Sequence, residues 1–568
     1  MGQGSWLGHY DAGVPATLDP YPDRTLLDYL AEAAAERPDR AALWFKGATV
    51  THAQLASLSD AFAAALAALG VAAGDRVALL LPNCPQFLIC ELGAWKAGAV
   101  VVPLNPLYSE QEVQGALART GAGTIVVLTP FYERVKAVQP RTALRNVVAT
   151  NVKEYLPPLL RVLFTLAKER KDGHRVRPRP GDHRLPELLE RHAGAKPGAG
   201  PRPDDPATIL MSGGTTGTPK GVVGLHRHYA ITASQISSWL RAGMEPGEDM
   251  VMAALPLFHS FANIGIQGVA LFNHDTLALV PNPRDLKDLL HTIGQVRPTT
   301  FAGVPTLFNA LLNHPDVRAG KVDFSSIKVC FSGAAPLLAE TKRRFEELTG
   351  GRIVEGYSLT EAMLACAVNP LEGPNKLGSV GMPLPDVQMR IVDADDGVRE
   401  LPAGEVGELL IRAPQLMASY WNDPGETAEA LRSHDGATWL HTGDLGYLDE
   451  DGYLFIVDRK KELIKTSGYQ VWPREIEEAL AAHPAVAEVG VAGVADPSKG
   501  EVAKAWVVLR PGAQATVEEL RAWCRERLAP FKVPAQVEFR DELPKTLVGK
   551  VLRRALVAEE RQRSASPS

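Results

Sequence analysis

The chain has 568 residues, of which 45% are hydrophobic and 22% are charged, and its formal net charge at pH 7 is −6. A chain of this length exceeds what a single hydrophobic core supports, so we expect at least two domains. Acidic and basic residues are interspersed, without the concentrated basic face from which nucleic-acid-binding proteins gain affinity. Nucleic acid is therefore not an expected partner.

The cysteines and the N-terminal residues indicate the cellular location of the protein. Its five cysteines form no CxxC pair and no Cys/His cluster with the spacing of metal ligands. The opening MGQGSWLGHYDAG shows no basic segment followed by an apolar run, and no stretch of about 18 apolar residues occurs in the sequence. We expect buried thiols, a cytoplasmic location and no membrane span.

Two regions show the alternation that is typical of parallel sheets. Between Leu26 and Pro130, helical periodicities alternate with short buried strands such as DRVALLLPN and GAGTIVVLTP. The same alternation resumes over residues 250–370. Strands that alternate with helices predict βαβ units around a mostly parallel sheet.

The segment 154–171, EYLPPLLRVLFTLAKERK, combines a short apolar helix with a basic end. Its apolar part is too short to cross a bilayer. It fits either an element lying on the inner face of a membrane or an amphipathic helix packed on the protein, and both alternatives stay open. Residues 172–206 are rich in Pro, Gly, Arg and Asp and predict an irregular connection.

The last third of the chain changes character twice. Over residues 378–458, the short strands VQMRIVD, GELLIRA and GYLFIVD are separated by turns, which predicts a β-rich subdomain. Beyond it, the helix TVEELRAWCRERL opens with Thr516 and Glu519 in capping-box register. We predict an α/β protein with a large domain of βαβ subdomains plus the β-rich subdomain over 1–458. A small, mobile α+β domain would follow over 459–568, with a disordered tail from residue 561.

The stretch MSGGTTGTPKGVV, residues 211–223, has the composition of a phosphate-binding loop. Glycines allow close approach of backbone N–H groups, hydroxyl groups add donors, and a lysine adds positive charge. Lys220 is followed by Gly221, so the GK[ST] pairing of a P-loop kinase or ATPase is missing. The candidate phosphate-binding residues are Ser212, Gly213, Gly214, Thr215, Thr216, Gly217, Thr218 and Lys220.

Three further motifs carry side chains suited to a nucleotide. In VEGYSLTEA, Tyr357 offers a ring for stacking, and Glu361 offers a hard carboxylate suited to Mg²⁺. In WLHTGDLGYL, Asp444 lies where a carboxylate can accept from both hydroxyls of a ribose, and Arg459 follows at the predicted domain boundary. In LPKTLVGKVLRR, Lys550 follows a glycine. Taken singly, each of these residues is more typical of a turn or a solvated surface.

Together the four motifs resemble the adenylate-forming, AMP-binding superfamily in order and spacing, from about Leu26 to Arg554. The stretch ALPLFHSFANIGIQGVALF is most similar to the bacterial long-chain fatty acid–CoA ligases. The resemblance implies an enzyme that activates a long-chain fatty acid with ATP as an acyl-adenylate and transfers the acyl group to coenzyme A. A medium-chain or aryl-carboxylate CoA ligase with the same mechanism is the first alternative, and a non-catalytic nucleotide-binding homologue is the second.

The resemblance also implies roles for particular residues. Lys550 and Thr360 would act on the carboxylate and the α-phosphate, His259 would lie beside the acyl carboxylate, and Lys461 would be the hinge of the small domain. A hydrogen-bonded core histidine is the alternative for His259. Glu361 and Thr216 would hold Mg²⁺. The residues implied around the nucleotide are Gly333, Ala334, Ala335, Glu355, Gly356, Tyr357, Ser358, Thr360, Asp444 and Arg459, and those implied along the coenzyme A channel are Lys465, Gly468 and Tyr469.

Two positions depart from the family pattern, because Ser358 and Ala334 stand where many relatives carry glycine. Neither departure removes a charged group, so we still expect adenylation. The expected substrates are ATP, coenzyme A and a fatty acid, with Mg²⁺ as cofactor. A homodimer is a further candidate assembly, since relatives are often dimers.

Overall fold

The computed structural model of the chain describes residues 4–212, 219–335, 337–466, 469–496, 499–546 and 551–565. Within these ranges, no helix is both long enough and apolar enough to cross a bilayer. The described residues form four β-sheets, two large ones and two of five strands each.

An eight-stranded sheet organises the first part of the large domain. Its neighbouring strands are, in order, Ser419–Tyr420, Lys220–Leu225, Pro206–Ser212, Val100–Pro103, Arg76–Leu80, Thr124–Leu128, Asn146–Thr150 and His183–Arg184. The strands from Pro206–Ser212 to the last in this order run parallel. Lys220–Leu225 pairs antiparallel with both of its neighbours, Pro206–Ser212 and Ser419–Tyr420. Parallel neighbours need crossover connections, which helices supply here, so the βαβ prediction is confirmed.

A nine-stranded sheet organises the second part. Its order is Met382–Pro383, Leu364–Val368, Arg352–Leu359, Val329–Ser332, Thr300–Gly303, Met250–Ala253, Thr276–Leu279, Ala41–Phe45 and Ala48–Thr51. The central strands from Arg352–Leu359 to Ala41–Phe45 run parallel. The N-terminal strand Ala41–Phe45 therefore joins a sheet built mostly from residues 250–383.

Most of the helices beside these two sheets pack on them, and the buried residues form two main hydrophobic clusters, a large one and a smaller one on one face of the eight-stranded sheet. The α-helices are Leu26–Glu36, His52–Ala68, Pro85–Lys96, Glu110–Thr120, Tyr132–Val138, Pro158–Ala167, Leu185–Arg191, His226–Trp239, Gly268–Asn273, Leu286–Val296, Pro305–Asn313, Pro315–Arg318, Ala339–Thr349 and Pro424–Ala430, and a π-helix spans Phe261–Gln267. Helix Pro85–Lys96 is buried along its length except at Lys96, and the Trp95 indole N–H donates to the Ala207 carbonyl at 2.9 Å. A helix that is apolar all round is normally buried, and this one lies inside the main core.

The β-rich subdomain is an antiparallel five-stranded sheet. It consists of Gln388–Val392, Gly407–Arg412, Leu431–His434, Ala437–Leu448 and Leu454–Arg459. These strands match the alternating patterns and turns of residues 378–458, so the predicted subdomain is confirmed. Its last strand leads directly into the small domain.

The small domain has hydrophobic cores of its own, formed by residues between 464 and 557. Its sheet consists of Ile464–Thr466, Tyr469–Val471, Val486–Asp496, Gly500–Leu509 and Gln536–Phe539, and its helices are Pro473–Ala481, Val517–Arg525 and Arg553–Ala565. The predicted capping box is present, since Thr516 and Glu519 bond each other's backbone N–H groups. The α+β character is thus confirmed, whereas the boundary at residue 459 and the mobility stay predictions.

Two sequence-based expectations about local structure are wrong. Residues 172–206 are not irregular throughout, because they contain the strand His183–Arg184 and the helix Leu185–Arg191, whose leucines enter the core. The tail is not disordered from residue 561, because the helix that starts at Arg553 continues to Ala565. In the first of these places, packing of Leu185, Leu188 and Leu189 into the core outweighs a polar composition.

Candidate active site

A cavity of about 360 Å³ lies where the large domain faces the small domain. It opens beyond the neighbouring parallel strands Val329–Ser332 and Arg352–Leu359, at the edge where open α/β sheets bind ligands. The predicted nucleotide residues that line it are Ala334, Ala335, Glu355, Gly356, Tyr357, Ser358, Asp444 and Arg459. We call it the nucleotide cavity.

Three of these side chains form one hydrogen-bonded group. The Tyr357 hydroxyl donates to Asp444 Oδ2 at 2.5 Å, and Arg459 Nε lies 2.8 Å from Asp444 Oδ1. Asp444 and Arg459 are opposite each other on adjacent antiparallel strands, which explains how the pairing arises. Asp444 raises the pKa of Arg459, and burial together with Asp444 raises the pKa of Tyr357 well above its usual value. The group is a preoriented carboxylate of the kind that binds sugar hydroxyls.

The turn after strand Val329–Ser332 has the geometry that glycine favours. Ala334 has a φ of 68°, in the left-handed region that costs other residues free energy, which is a physical reason for the glycine that many relatives carry there. At Gly333, an added Cβ would lie 3.0 Å from the Phe261 ring, so a side chain would crowd the start of the π-helix. Close packing of this turn on Phe261 thus explains why residue 333 is a glycine.

A second cavity of about 360 Å³ adjoins the first at Arg459, which lines both. Its lining includes the predicted residues Ser212, Lys220, Glu361 and Lys461. Ser212 and Lys220 are paired opposite each other at the ends of their strands, so the two flanks of the predicted phosphate loop meet at this cavity. We call it the phosphate cavity. The intervening predicted residues Gly213, Gly214, Thr215, Thr216, Gly217 and Thr218 lie outside the described part of the chain.

Side chains that the sequence reasoning missed surround Glu361 and Lys220. The Tyr420 hydroxyl donates to Glu361 Oε1 at 2.9 Å, and Lys220 Nζ lies 4.9 Å from the centre of the Tyr420 ring. Lys220 also pairs with Glu426. Burial and Glu361 raise the pKa of Tyr420, which keeps its hydroxyl protonated as a donor. No local pattern pointed to Tyr420, because it lies 59 residues from its partner.

The donor set around Glu361 fits Mg²⁺ bound together with phosphate. Mg²⁺ prefers oxygen ligands and is usually held by one or two carboxylates plus substrate phosphates and water, not by an all-protein cage. Glu361 lines the phosphate cavity, and the described residues contain no cluster of three or more His, Cys, Asp or Glu side chains that could hold a metal by themselves. The second predicted ligand, Thr216, is outside the described ranges.

Thr360 contacts Ser260, the residue next to His259 in the chain. The Ser260 and Thr360 hydroxyl oxygens are 3.3 Å apart, and Ser260 follows His259 in the chain. The Phe261 N–H donates to His259 Nδ1 at 3.3 Å, and burial lowers the His259 pKa to about 4. A neutral ring whose Nδ1 accepts carries its proton on Nε2, so His259 presents one N–H donor.

Lys461 and Lys465, at the start of the small domain, are both exposed. Lys461 belongs to the 3₁₀ helix Lys460–Glu462, directly after the strand that carries Arg459. Lys465 lies on the next strand and lines neither cavity. Of the remaining predicted residues, the backbone of Tyr469 belongs to the strand Tyr469–Val471. Gly468 and Lys550 lie beyond the described ranges.

Arg553 connects the two domains in this arrangement. Its guanidinium lies 3.1 Å from Asp458 Oδ1 of the large domain and 2.6 Å from Glu477 Oε2 of the small domain, and it also pairs with Glu462. Burial alone would lower the Arg553 pKa, but Glu477 and the other carboxylates raise it. Arg474 adds bonds from its backbone N–H to Asp458 Oδ2 at 2.9 Å and from its side chain to the Ile456 carbonyl at 2.5 Å. We call Arg474 and Arg553 with these partners the arginine clasp, which the sequence reasoning missed.

Comparison with known proteins decides the family. The AMP-binding enzyme family matches residues 30–421, and the AMP-binding enzyme C-terminal domain matches residues 475–550. The chain belongs to the AMP-binding enzymes. The resemblance stated from the four motifs is thereby confirmed. A long-chain-fatty-acid–CoA ligase of Bacillus subtilis (strain 168) is 39% identical over 561 residues, which cover 98% of each chain.

Solved structures match nearly the whole length of this chain. The anthranilate CoA ligase AuaEII in complex with anthranoyl-AMP has a TM-score of 0.84 at 27% identity, covering 97% of this chain and 99% of its own. MatB from Rhodopseudomonas palustris has a TM-score of 0.80 with ATP bound and 0.70 in its apo form, both at 28% identity and covering 94% of this chain and 99% of its own. The present structure is thus closer in shape to the ATP-bound form of MatB than to its apo form.

Proposed function

We propose that this AMP-binding enzyme is a long-chain fatty acid–CoA ligase that forms acyl-CoA, AMP and pyrophosphate. The observation that carries the proposal is the nucleotide cavity joined at Arg459 to the phosphate cavity. The relatives that match nearly the whole chain include several long-chain-fatty-acid–CoA ligases. The AMP-forming ligase class expected from the sequence is confirmed by these relatives. A non-catalytic homologue is disfavoured because Glu361, Asp444, Arg459 and Lys550 are all present.

In the first half-reaction, a carboxylate oxygen attacks the α-phosphorus of ATP, and pyrophosphate leaves. Two anions must approach each other, so the site has to supply positive charge and hydrogen-bond donors where negative charge develops. The geometry supports adenine and ribose in the nucleotide cavity, with the ribose hydroxyls at Asp444. It also supports the departing phosphates in the phosphate cavity, near Lys220.

The link from His259 through Ser260 to Thr360 supports a place for the reacting carboxylate. A buried neutral histidine can donate one hydrogen bond to the carboxylate without adding a positive charge that would make it a poorer nucleophile. The Thr360 hydroxyl, at the start of the 3₁₀ helix that carries Glu361, is suited to the α-phosphate. We assign Lys550 the bridging contact between carboxylate and α-phosphate, on the strength of the family motif.

Mg²⁺ would be held by Glu361, together with phosphate oxygens and with Thr216 as the family motif implies. When bound, the ion would offset charge on the phosphates that leave. In this chain the Tyr420 hydroxyl bonds one oxygen of Glu361 and so fixes the direction of the carboxylate.

In the second half-reaction, the thiol sulfur of coenzyme A attacks the acyl carbon, and AMP leaves with the electrons of the bond that breaks. The bridging lysine has to withdraw before the thiol can enter, so we propose that the small domain rotates about Lys461. Lys465, Gly468 and Tyr469 would then line the pantetheine channel. The exposed position of Lys461 next to Arg459 supports the hinge.

An aryl-carboxylate CoA ligase is the second candidate, because AuaEII, an anthranilate CoA ligase, has the TM-score of 0.84. The deciding experiment measures pyrophosphate and AMP release by the purified protein with ATP, Mg²⁺ and coenzyme A across fatty acids from short to long. Cinnamate-type and anthranilate-type acids are included as competitors. Maximal release with long-chain acids supports the proposal. Turnover only with aryl acids contradicts the proposed fatty acid substrate, and no release with any acid contradicts the proposed ligase activity.

Two finer expectations about partners belong to the same proposal. We propose a homodimer on the basis of the family resemblance, which sedimentation velocity of the purified chain would test. We also propose peripheral contact of segment 154–171 with the inner face of the membrane. The exposed apolar side chains of Leu159, Val162, Leu163 and Leu166, which form a stripe along helix Pro158–Ala167, support this contact.

A further inference from the structure

The first described residues of the chain, 4–24, form a segment that we call the N-terminal strap. Most of its residues belong to no helix or strand. The Tyr10 hydroxyl donates to the Pro383 carbonyl at 2.6 Å. Trp6 is 6% exposed and packs on Gly452, where an added Cβ would lie 2.8 Å from the Trp6 Cβ. These contacts attach the strap to segments of the large domain that follow much later in the chain.

Asp11 lies within the strap and is a buried carboxylate, 8% exposed. Its Oδ2 accepts from the backbone N–H groups of Leu371 at 2.6 Å and Glu372 at 2.9 Å, and its Oδ1 accepts from Gly373 at 2.7 Å. Successive N–H groups that converge on one point form an anion-binding nest, which Asp11 fills here. Because a carboxylate makes stronger hydrogen bonds to N–H groups than a neutral acceptor does, Asp11 fixes the backbone of residues 371–373.

The backbone held in this way belongs to loop 369–381, which forms part of the wall of the nucleotide cavity. We call it the wall loop. Gly378 and Val380 of this loop line the cavity. The Asn375 side-chain amide donates to the Pro370 carbonyl at 2.8 Å. Because this bond joins the residues on either side of the nest, the first half of the wall loop is held as one unit.

Asn369, at the start of the wall loop, connects the loop to the strand Arg352–Leu359. It is 1% exposed, its backbone N–H donates to the Glu355 carbonyl at 2.9 Å, and its side-chain amide donates to the Ser379 carbonyl at 2.9 Å. Glu355 also lines the nucleotide cavity. A shift of residues 371–373 would therefore disturb both the part of the loop that lines the cavity and a strand that lines it.

From this arrangement we propose that Asp11 is a positioning residue for the nucleotide. Asp11 does not line the cavity itself, and it acts by holding Gly378 and Val380 of the wall loop in place. A wall that is ordered before the ligand arrives lowers the ordering cost of binding. Because Thr360 and Glu361 lie in another segment, the contribution of Asp11 falls on nucleotide affinity and not on the chemical step. That ATP is the nucleotide bound there rests on the proposed function.

The experiment measures ATP binding to the purified full chain by isothermal titration calorimetry, with Mg²⁺ and without fatty acid or coenzyme A. Asp11→Ala removes all three acceptor contacts, whereas Asp11→Asn keeps one acceptor oxygen. The matched control, Thr17→Ala/Tyr21→Phe, removes two hydroxyl groups that donate to Asp386 at 2.6 Å each. Asp386 anchors another part of the strap and lines neither cavity. The control therefore loosens the strap while leaving the bonds of Asp11 intact.

We expect the dissociation constant for ATP to rise about tenfold in Asp11→Ala and less in Asp11→Asn, and to change less than about twofold in the control. In the pyrophosphate-release assay, KM for ATP should rise in Asp11→Ala while kcat stays nearly the same. An unchanged dissociation constant in Asp11→Ala, or an equal rise in the control, overturns the inference. So does a fall in kcat with KM for ATP unchanged. If Asp11→Ala does not fold, Asp11→Asn decides by the same comparison with the control.

The binding measurement keeps this inference separate from the ligase reaction. Wild-type protein that binds ATP but releases no pyrophosphate with any acid contradicts the proposed ligase activity, and the comparison of dissociation constants still decides the role of Asp11. Wild-type protein that binds no ATP contradicts both the proposed function and the role of Asp11.

Discussion

Replacing Arg553 with Met should weaken the arginine clasp while keeping most of the aliphatic stem. The side chain of Arg553 is 16% exposed and that of its partner Asp458 is 2% exposed, so the variant leaves a carboxylate buried without its cation. Breaking a buried ion pair in this way costs about 3–5 kcal/mol. Because the partners Glu462 and Glu477 are 25% and 18% exposed and partly screened, we take about 3 kcal/mol, or roughly a hundredfold in an equilibrium constant.

Only part of that loss falls on the contact between the domains, because Asp458 lies on the large domain and Glu477 on the small one. The arrangement held by the clasp is closer in shape to ATP-bound MatB than to apo MatB. We therefore expect Arg553→Met to lower adenylation, measured as ATP–pyrophosphate exchange with fatty acid, by at least about tenfold. Thioester formation from supplied acyl-adenylate and coenzyme A should fall much less.

A matched control separates domain contact from stability of the small domain. Lys504 is 8% exposed and pairs with Glu538 at 2.9 Å and Glu560 at 2.7 Å, all within the small domain. Lys504→Met should destabilise that domain and lower the rates of adenylation and thioester formation to a similar extent. The reasoning would be refuted if Arg553→Met lowered both half-reactions equally. It would also be refuted if Lys504→Met, like Arg553→Met, lowered adenylation much more than thioester formation.

Three further predictions concern single side chains. Lys550→Ala should lose adenylation far more than thioester formation from supplied acyl-adenylate, as measured by the same pair of assays. Tyr420→Phe removes the hydroxyl that orients Glu361, so the Mg²⁺ concentration for half-maximal pyrophosphate release should rise about tenfold. His52 is only 1% exposed, and burial lowers its pKa to about 4. The unfolded chain then binds more protons between pH 6.5 and pH 4, so wild-type stability falls there as pH falls. His52→Leu lacks this loss, and its unfolding free energy relative to wild type should increase by about 1 kcal/mol from pH 7.5 to pH 5.5 in urea titrations.

Each of these predictions has a result that contradicts it. Equal losses in both half-reactions for Lys550→Ala would argue against two domain arrangements. An unchanged Mg²⁺ requirement in Tyr420→Phe, with wild-type thermal stability, would separate Tyr420 from the metal site. A difference between His52→Leu and wild type that stays constant with pH would mean that His52 titrates alike in the folded and unfolded chain.

Local sequence patterns were sufficient for much of the fold and for the residue types of the site. The alternation of helical and strand periodicity predicted the parallel sheets, and short polar turns predicted the β-rich subdomain. The glycine and hydroxyl run ending at Lys220 predicted phosphate binding, and the four motifs together predicted the family. These features are encoded within a few residues of each other, where spacing alone reports backbone geometry.

Contacts between distant segments were decided only by the tertiary structure. Tyr420 meets Glu361 across 59 residues and Arg553 meets Asp458 across 95, and no spacing rule connects such positions. The helix at Pro158–Ala167 illustrates the same limit, because periodicity shows that an apolar stripe exists but not whether another element covers it. A side chain's partners depend on where the chain returns after folding, and that is settled by packing of the whole domain and not by neighbouring residues.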